Sequence, residues 1–112
     1  MEKKFYKSQK VMLDDLTYLD KSFFLDYYIL ETRKANDKNE YEKNYGIEIV
    51  KHYTDYFKNK VVQQREINCI TKDEDEIYKF ADKMVENIVT PISLDDVVSD
   101  YFTKKAINAA LS

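Results

Sequence analysis

Glycine, proline, cysteine and histidine each occur once among the 112 residues, and tryptophan does not occur. These scarcities exclude much. A single glycine rules out the Gly-rich phosphate loops and the Gly-x-Ser-x-Gly elbow, each of which needs at least two. A lone cysteine forms no internal disulfide and no cysteine zinc site, in keeping with a reducing compartment, and a lone histidine gives a metal no imidazole pair. No apolar run approaches the ~18 to 20 residues of a membrane-spanning helix, and the opening Met1 to Lys10 lacks the apolar centre of a signal peptide. A cytoplasmic protein with no membrane partner is expected.

What the chain does contain is aromatic and charged. Ten tyrosines and six phenylalanines accompany 44% hydrophobic and 35% charged residues, the composition of one folded domain with a thin core. Tyrosine covers a core while keeping its hydroxyl at the water boundary, so tyrosine-rich edges also make contact surfaces. The net charge of −3 is unevenly spread. Residues 1 to 72 hold 14 Lys and Arg against 12 Asp and Glu, whereas 73 to 112 hold 4 against 9. The C-terminal part is therefore acidic, which disfavours non-specific nucleic-acid binding.

Read in order, residues 1 to 10 carry Lys3, Lys4, Lys7 and Lys10 around Phe5 and Tyr6 without a sustained period, and read as a flexible basic arm ahead of a single domain over 11 to 112. Val11 to Tyr18 fits either a helical stripe or an alternating strand; the strand is favoured. Asp20-Lys21-Ser22 reads as a turn. Phe23 to Arg33 follows as a strand with Phe23, Leu25, Tyr27 and Ile29 on one face and Phe24, Tyr28 and Leu30 on the other. Apolarity on both faces predicts a cover on each side.

Residues 34 to 43 read as a polar linker, and Tyr45 to Tyr53 as the next strand. Gly46 inside it predicts a bulge or a close approach of another backbone, in preference to a ligand contact. After a turn over 54 to 60, Val61 to Ile70 forms a strand whose polar centre, Gln63 to Glu66, suits a sheet edge, with Cys69 as core filling. The period then changes. Thr71 and Glu74 match a capping box, and Ile77, Phe80, Ala81, Met84 and Ile88 form a helical stripe. Pro91 ends that helix. Ser93 reads as the cap of a second helix, with Asp95 and Asp96 in its first turn and Ile92 to Val97 as a hydrophobic staple. Strands first and helices last give an α+β fold: a short antiparallel sheet of three or four strands, with two C-terminal helices on one face.

Three segments together resemble a family of small proteins of unknown function common in anaerobic spore-forming bacteria. They are Tyr45-Gly46-Ile47-Glu48-Ile49, Ile70-Thr71-Lys72-Asp73, and Pro91-Ile92-Ser93-Leu94-Asp95-Asp96-Val97-Val98-Ser99-Asp100-Tyr101-Phe102. The resemblance spans about residues 15 to 102 and implies the same sheet-then-helices order. It brings no activity, ligand or catalytic residue. The turn at Asp20-Lys21-Ser22 stands where the family pattern suggests glycine, and the 34 to 43 linker is long for it.

Chemistry-bearing residues are few, so no catalytic residue, metal ligand or cofactor is expected. His52 has no partner suggested by sequence, and Asp73 to Glu76, Asp95 and Asp96 are explained as helix-start acids. The expected function is a non-enzymatic protein-interaction or regulatory module that self-associates through its sheet, with Phe24, Tyr28 and Leu30 as contact residues. The alternative is a nucleic-acid-binding accessory protein using Lys58, Lys60 and Arg65 with the N-terminal lysines, next to Tyr53, Tyr56 and Phe57.

Overall fold

The computed structural model describes residues 1–12, 22–35, 37–55 and 57–111, with side chains up to residue 103. Four strands come first: β1 (Glu2–Val11), β2 (Phe23–Ala35), β3 (Tyr41–Thr54) and β4 (Lys60–Thr71). They pair antiparallel in the order β1-β2-β3-β4. Helix α1 (Glu74–Glu86), a 3-10 turn (Pro91–Ser93) and helix α2 (Leu94–Leu111) follow. The fold is thus the expected α+β arrangement, with four strands.

β2 and β3 pair without interruption from Phe23↔Tyr53 to Ala35↔Tyr41, so the chain between them is far shorter than the expected 34 to 43 linker. The alternation places Leu25, Tyr27 and Ile29 of β2 beside Ile47 and Ile49 of β3 on one face, all buried. Onto that face α1 lays Ile77, Phe80, Ala81 and Met84, the predicted stripe, joined by Val89 and Leu94. Tyr27 is buried whole because its hydroxyl is served: it donates to the Val89 carbonyl at 3.0 Å and accepts from Gln9 Nε2 at 2.9 Å.

Residues 1 to 10 are not the flexible arm the sequence suggested, because Glu2–Val11 is an edge strand. Side-chain partners far along the chain hold it there. Lys3 Nζ meets the buried Glu48 carboxylate at 2.8 Å, and Lys4 lies 3.9 Å from the buried Glu31, which Lys43 approaches to 3.2 Å. Phe5 packs edge-on against Tyr28, and Tyr6 against Tyr78. Buried carboxylates need cationic partners, and the lysines that looked like a solvated tail provide them. The reading of 11 to 18 as a strand and of 20 to 22 as a turn falls largely outside the described residues.

The Tyr6 hydroxyl donates to the Asp82 carboxylate of α1. That bond, and then burial, push the Tyr6 phenol up to about 12. A raised phenol favours the folded state while neutral, so this contribution holds below the ordinary tyrosine value and is lost as pH rises through about 12. In an ultraviolet phenolate titration one tyrosine should ionise last, near 12, and Asp82→Asn should bring it back toward the others. A last tyrosine unmoved by Asp82→Asn would refute the link.

Several helix-end details differ from expectation. The cap of α1 is Asp73, whose carboxylate accepts from Glu76 N at 3.3 Å, while Thr71 Oγ1 accepts from Asp73 N at 3.1 Å in a turn that precedes the helix. The Thr71–Glu74 box is therefore replaced by a cap two residues later. Helix α1 closes in a Schellman motif, with Ile88 N bonding to Val85 O at 3.2 Å and Val89 N to Met84 O at 3.0 Å. Ile88 sits there at φ 53, so it leaves the helical stripe for solvent and Val89 turns inward. Ser93 does not cap α2 as a free-standing N-cap. Its hydroxyl forms a reciprocal box with Thr90 across the 3-10 turn, accepting from Thr90 N at 3.2 Å. Ile92 is 79% exposed, so no staple to Val97 forms; buried Pro91 and Leu94 seat the corner instead.

Candidate binding face and hairpin cavity

With both helices on one side, the register fixes what the other side of the sheet displays. Lys3, Phe5, Ser8 and Lys10 of β1 lie beside Phe24, Asp26, Tyr28 and Leu30 of β2. Gly46, Glu48, Val50 and His52 of β3 follow, then Val62, Gln64 and Glu66 of β4. Among the described residues no helix covers this face. Phe5 is 61% exposed, Val62 56% and Phe24 47%, each a large apolar side chain in water.

The expected contact residues are placed unequally. Phe24 is exposed, with Lys10 Nζ 5.7 Å from its ring centre, and Tyr28 is half-buried under Phe5 and Lys3. Leu30 is fully buried and offers a partner no area, because it lies in register between Lys3 and Gly46. Phe5 and Val62 take its place. Phe5 was hidden from the sequence reading by its assignment to the arm; the alternation of β4 could have found Val62.

Asp26 is the polar centre of the face. Its carboxylate accepts from Ser8 Oγ at 2.7 Å and lies 3.0 Å from His52 Nε2. His52 therefore has a partner that sequence could not supply, since Asp26 is on another strand. The order of contacts matters chemically. In a nucleophilic relay the imidazole stands between carboxylate and hydroxyl, whereas here the carboxylate stands between the other two, so Ser8 meets Asp26 and not the His52 imidazole. Among the described residues no group of three or more His, Cys, Asp and Glu could hold a metal ion.

At one end of the face the β3–β4 hairpin walls a cavity of about 570 Å³, lined among others by Phe24, His52, Tyr53 and Lys10, Lys58 and Lys60. The turn that carries Lys58 is tightly bonded: Lys58 N to Asp55 O at 3.0 Å, Asp55 N to Asn59 O at 2.9 Å, and Asn59 N to the Asp55 carboxylate at 2.8 Å. Lys58 holds φ 64, a conformation glycine or asparagine adopts at less cost. Among the described residues, none of these three lysines forms an ion pair.

Arg65 is not part of this group. It points to the helical side, where Nε and a terminal nitrogen grip Asp95 of α2 at 3.0 and 2.9 Å. That fork holds the Asp95 carboxyl below the usual carboxylate range. Sequence proximity grouped Arg65 with Lys58 and Lys60, but strand alternation sends it to the opposite face; Lys10 joins them instead. Of the aromatic neighbours, Tyr53 lines the cavity and Phe57 is exposed, while Tyr56 lies outside the described residues.

Cys69 is exposed, contrary to its expected place in the core. It stands at φ 57 in a β4 irregularity, where Tyr45↔Thr71 and Ile47↔Ile67 leave Asn68, Cys69 and Ile70 opposite Gly46 alone. The extra residues turn Cys69 outward and let Ile67 and Ile70 pack on the core.

No curated protein and no solved structure matches this chain. A family profile matches residues 6–104, which include the cavity, both helix starts and the open face apart from Lys3 and Phe5. On that match the chain belongs to the family of unknown function DUF6514.

Proposed function

We propose that this protein is a non-enzymatic interaction module that associates with a second copy of itself through the open face of its sheet. The observation that carries this reading is the exposure of Phe5, Phe24 and Val62 on a sheet side that neither helix covers. Four strands at ~4.8 Å spacing and about 12 residues at ~3.3 Å rise give a face of roughly 40 by 19 Å. That is close to the ~800 Å² per partner of a standard stable interface.

Charge at one end of the face favours a second copy as the occupant. Packing two such faces about a two-fold axis parallel to the strands lays β1 of one protomer over β4 of its partner. Lys3 then opposes β4 near the level of its open-face Glu66, whereas Lys10 lies nearer Val62 and Lys60. Sedimentation at micromolar concentration should report a dimer, and Phe5→Glu, at an exposed position, should return it to a folded monomer. A wild-type monomer throughout that range overturns the reading.

Nucleic-acid binding is the second reading, supported by the convergence of Lys10, Lys58 and Lys60 at the hairpin end. The acidic C-terminal part and the diversion of Arg65 to Asp95 weigh against it.

A further inference from the structure

The hairpin cavity shares Lys10, Phe24 and Val62 with the proposed contact face, but its His52, Lys58 and Lys60 are features that self-association does not use. We propose that it binds a small phosphorylated ligand with a planar, apolar portion, the chemistry of a mononucleotide. Three observations converge on this class. First, Lys10, Lys58 and Lys60 approach one cavity from two different segments, and none forms an ion pair among the described residues. The one carboxylate in the lining, Asp55, already accepts from the Asn59 amide. Compact ammonium charges on flexible stems suit the multiple oxygens of a phosphate.

Second, Phe24 gives the same cavity an aromatic wall, on which a base or other flat ring can stack. The volume of about 570 Å³ lies within the ~300 to 1,000 Å³ usual for small-molecule sites. His52 adds a polar atom of fixed orientation, because Asp26 takes Nε2 and leaves Nδ1 for a ligand. Third, Lys58 occupies a left-handed position in a turn held by the Asp55–Lys58 and Asp55–Asn59 bonds, where glycine relieves strain. Lysine there keeps a cation at the cavity at a cost to the backbone.

Calorimetric titration of the full chain with adenosine monophosphate, adenosine, inorganic phosphate and a short single-stranded oligothymidylate tests the assignment. The monophosphate should bind at least ten-fold more tightly than adenosine and than inorganic phosphate, since both the charge and the ring contribute. Lys58→Gly separates binding from folding. It should weaken monophosphate binding about ten-fold or more while leaving the thermal midpoint unchanged or higher. Phe5→Glu should leave binding intact, so failure of self-association does not decide this question.

The proposal is overturned if the monophosphate shows no binding at millimolar concentration, or binds no better than adenosine. It is equally overturned if inorganic phosphate binds as well, which marks a bare anion site. Unchanged affinity in Lys58→Gly excludes the cavity. Binding of the oligonucleotide alone transfers the lysines to the nucleic-acid reading and also overturns the small-ligand assignment.

Discussion

Gly46→Ala should lower the stability of this protein by about 3 kcal/mol, a large overpacking cost for the addition of one methyl group. A Cβ at Gly46 would press on the Ile67 carbonyl oxygen and stand 2.9 Å from Asn68 Cα. Both neighbours are backbone, so no side-chain rotation relieves the contact. β4 must move away from β3, and the movement falls where Asn68, Cys69 and Ile70 bulge opposite Gly46. Ile67 and Ile70, which pack on the core from this segment, move with it. Replacing a strand glycine by alanine ordinarily helps by roughly 0.5 to 1 kcal/mol through backbone entropy, so the sign alone is diagnostic. Urea unfolding monitored by circular dichroism measures it, and a variant as stable as the parent contradicts the close approach of β4.

Phe80→Ala should cost about 3 to 5 kcal/mol, the range for removing a buried phenyl group. Phe80 is 1% exposed and holds two layers together. From α1 it faces the sheet core, and its ring meets Tyr101 at 4.9 Å and Phe102 at 5.5 Å between centroids. The Tyr101 and Phe102 rings pack on each other as well, at 5.0 Å. Removing Phe80 therefore takes the common partner from a three-ring cluster and opens a cavity between α1 and α2. Domains of this size are stable by only ~5 to 15 kcal/mol, so the loss is a large fraction of the total. Amide exchange should show α2 losing protection before the β2–β3 pair does. A stability loss below about 1 kcal/mol, or protection lost evenly through the chain, would show that Phe80 is not the tie.

How much of this was legible differs from element to element. The strand β2 and the helix α1 could be read because their partners are generic: any apolar surface at period 2 or 3.6 serves, and Leu25, Tyr27, Ile77 and Phe80 supply it. Gly46 was read as a bulge or close contact because only glycine tolerates another backbone so near. β1 could not be read. Its lysines are attached to Glu48 and Glu31, residues 45 and 27 positions away, and a lysine paired with a distant carboxylate looks in sequence like a lysine in water. The helix corner at Pro91 failed in detail for a related reason. Ile92 has the spacing of a staple, but the 3-10 turn rotates it to solvent and seats Pro91 instead.

The candidate site followed the same division. That Phe24 and Tyr28 share a face could be read from alternation, and that Lys58 and Lys60 lie close together from adjacency. Arg65 was misgrouped, since in a strand five residues on from Lys60 means the opposite face. Leu30 was misjudged because burial on the open face depends on neighbouring strands, not on its own. Asp26 and His52 were paired only by the β2–β3 register.

By itself the sequence determined the local terms: which segments alternate, which turn helical, where Pro91 and Gly46 interrupt, and that the strands precede the helices. These depend on neighbours within a few residues, where side-chain pattern and backbone preference act directly. Tertiary structure alone decided that the basic N-terminus is a strand, that Arg65 serves α2, and that Lys10 shares a cavity with the hairpin lysines. Each of those joins residues far apart in the chain. Their energies come from desolvated charge pairs and cross-strand contacts that exist only once the sheet has set its register.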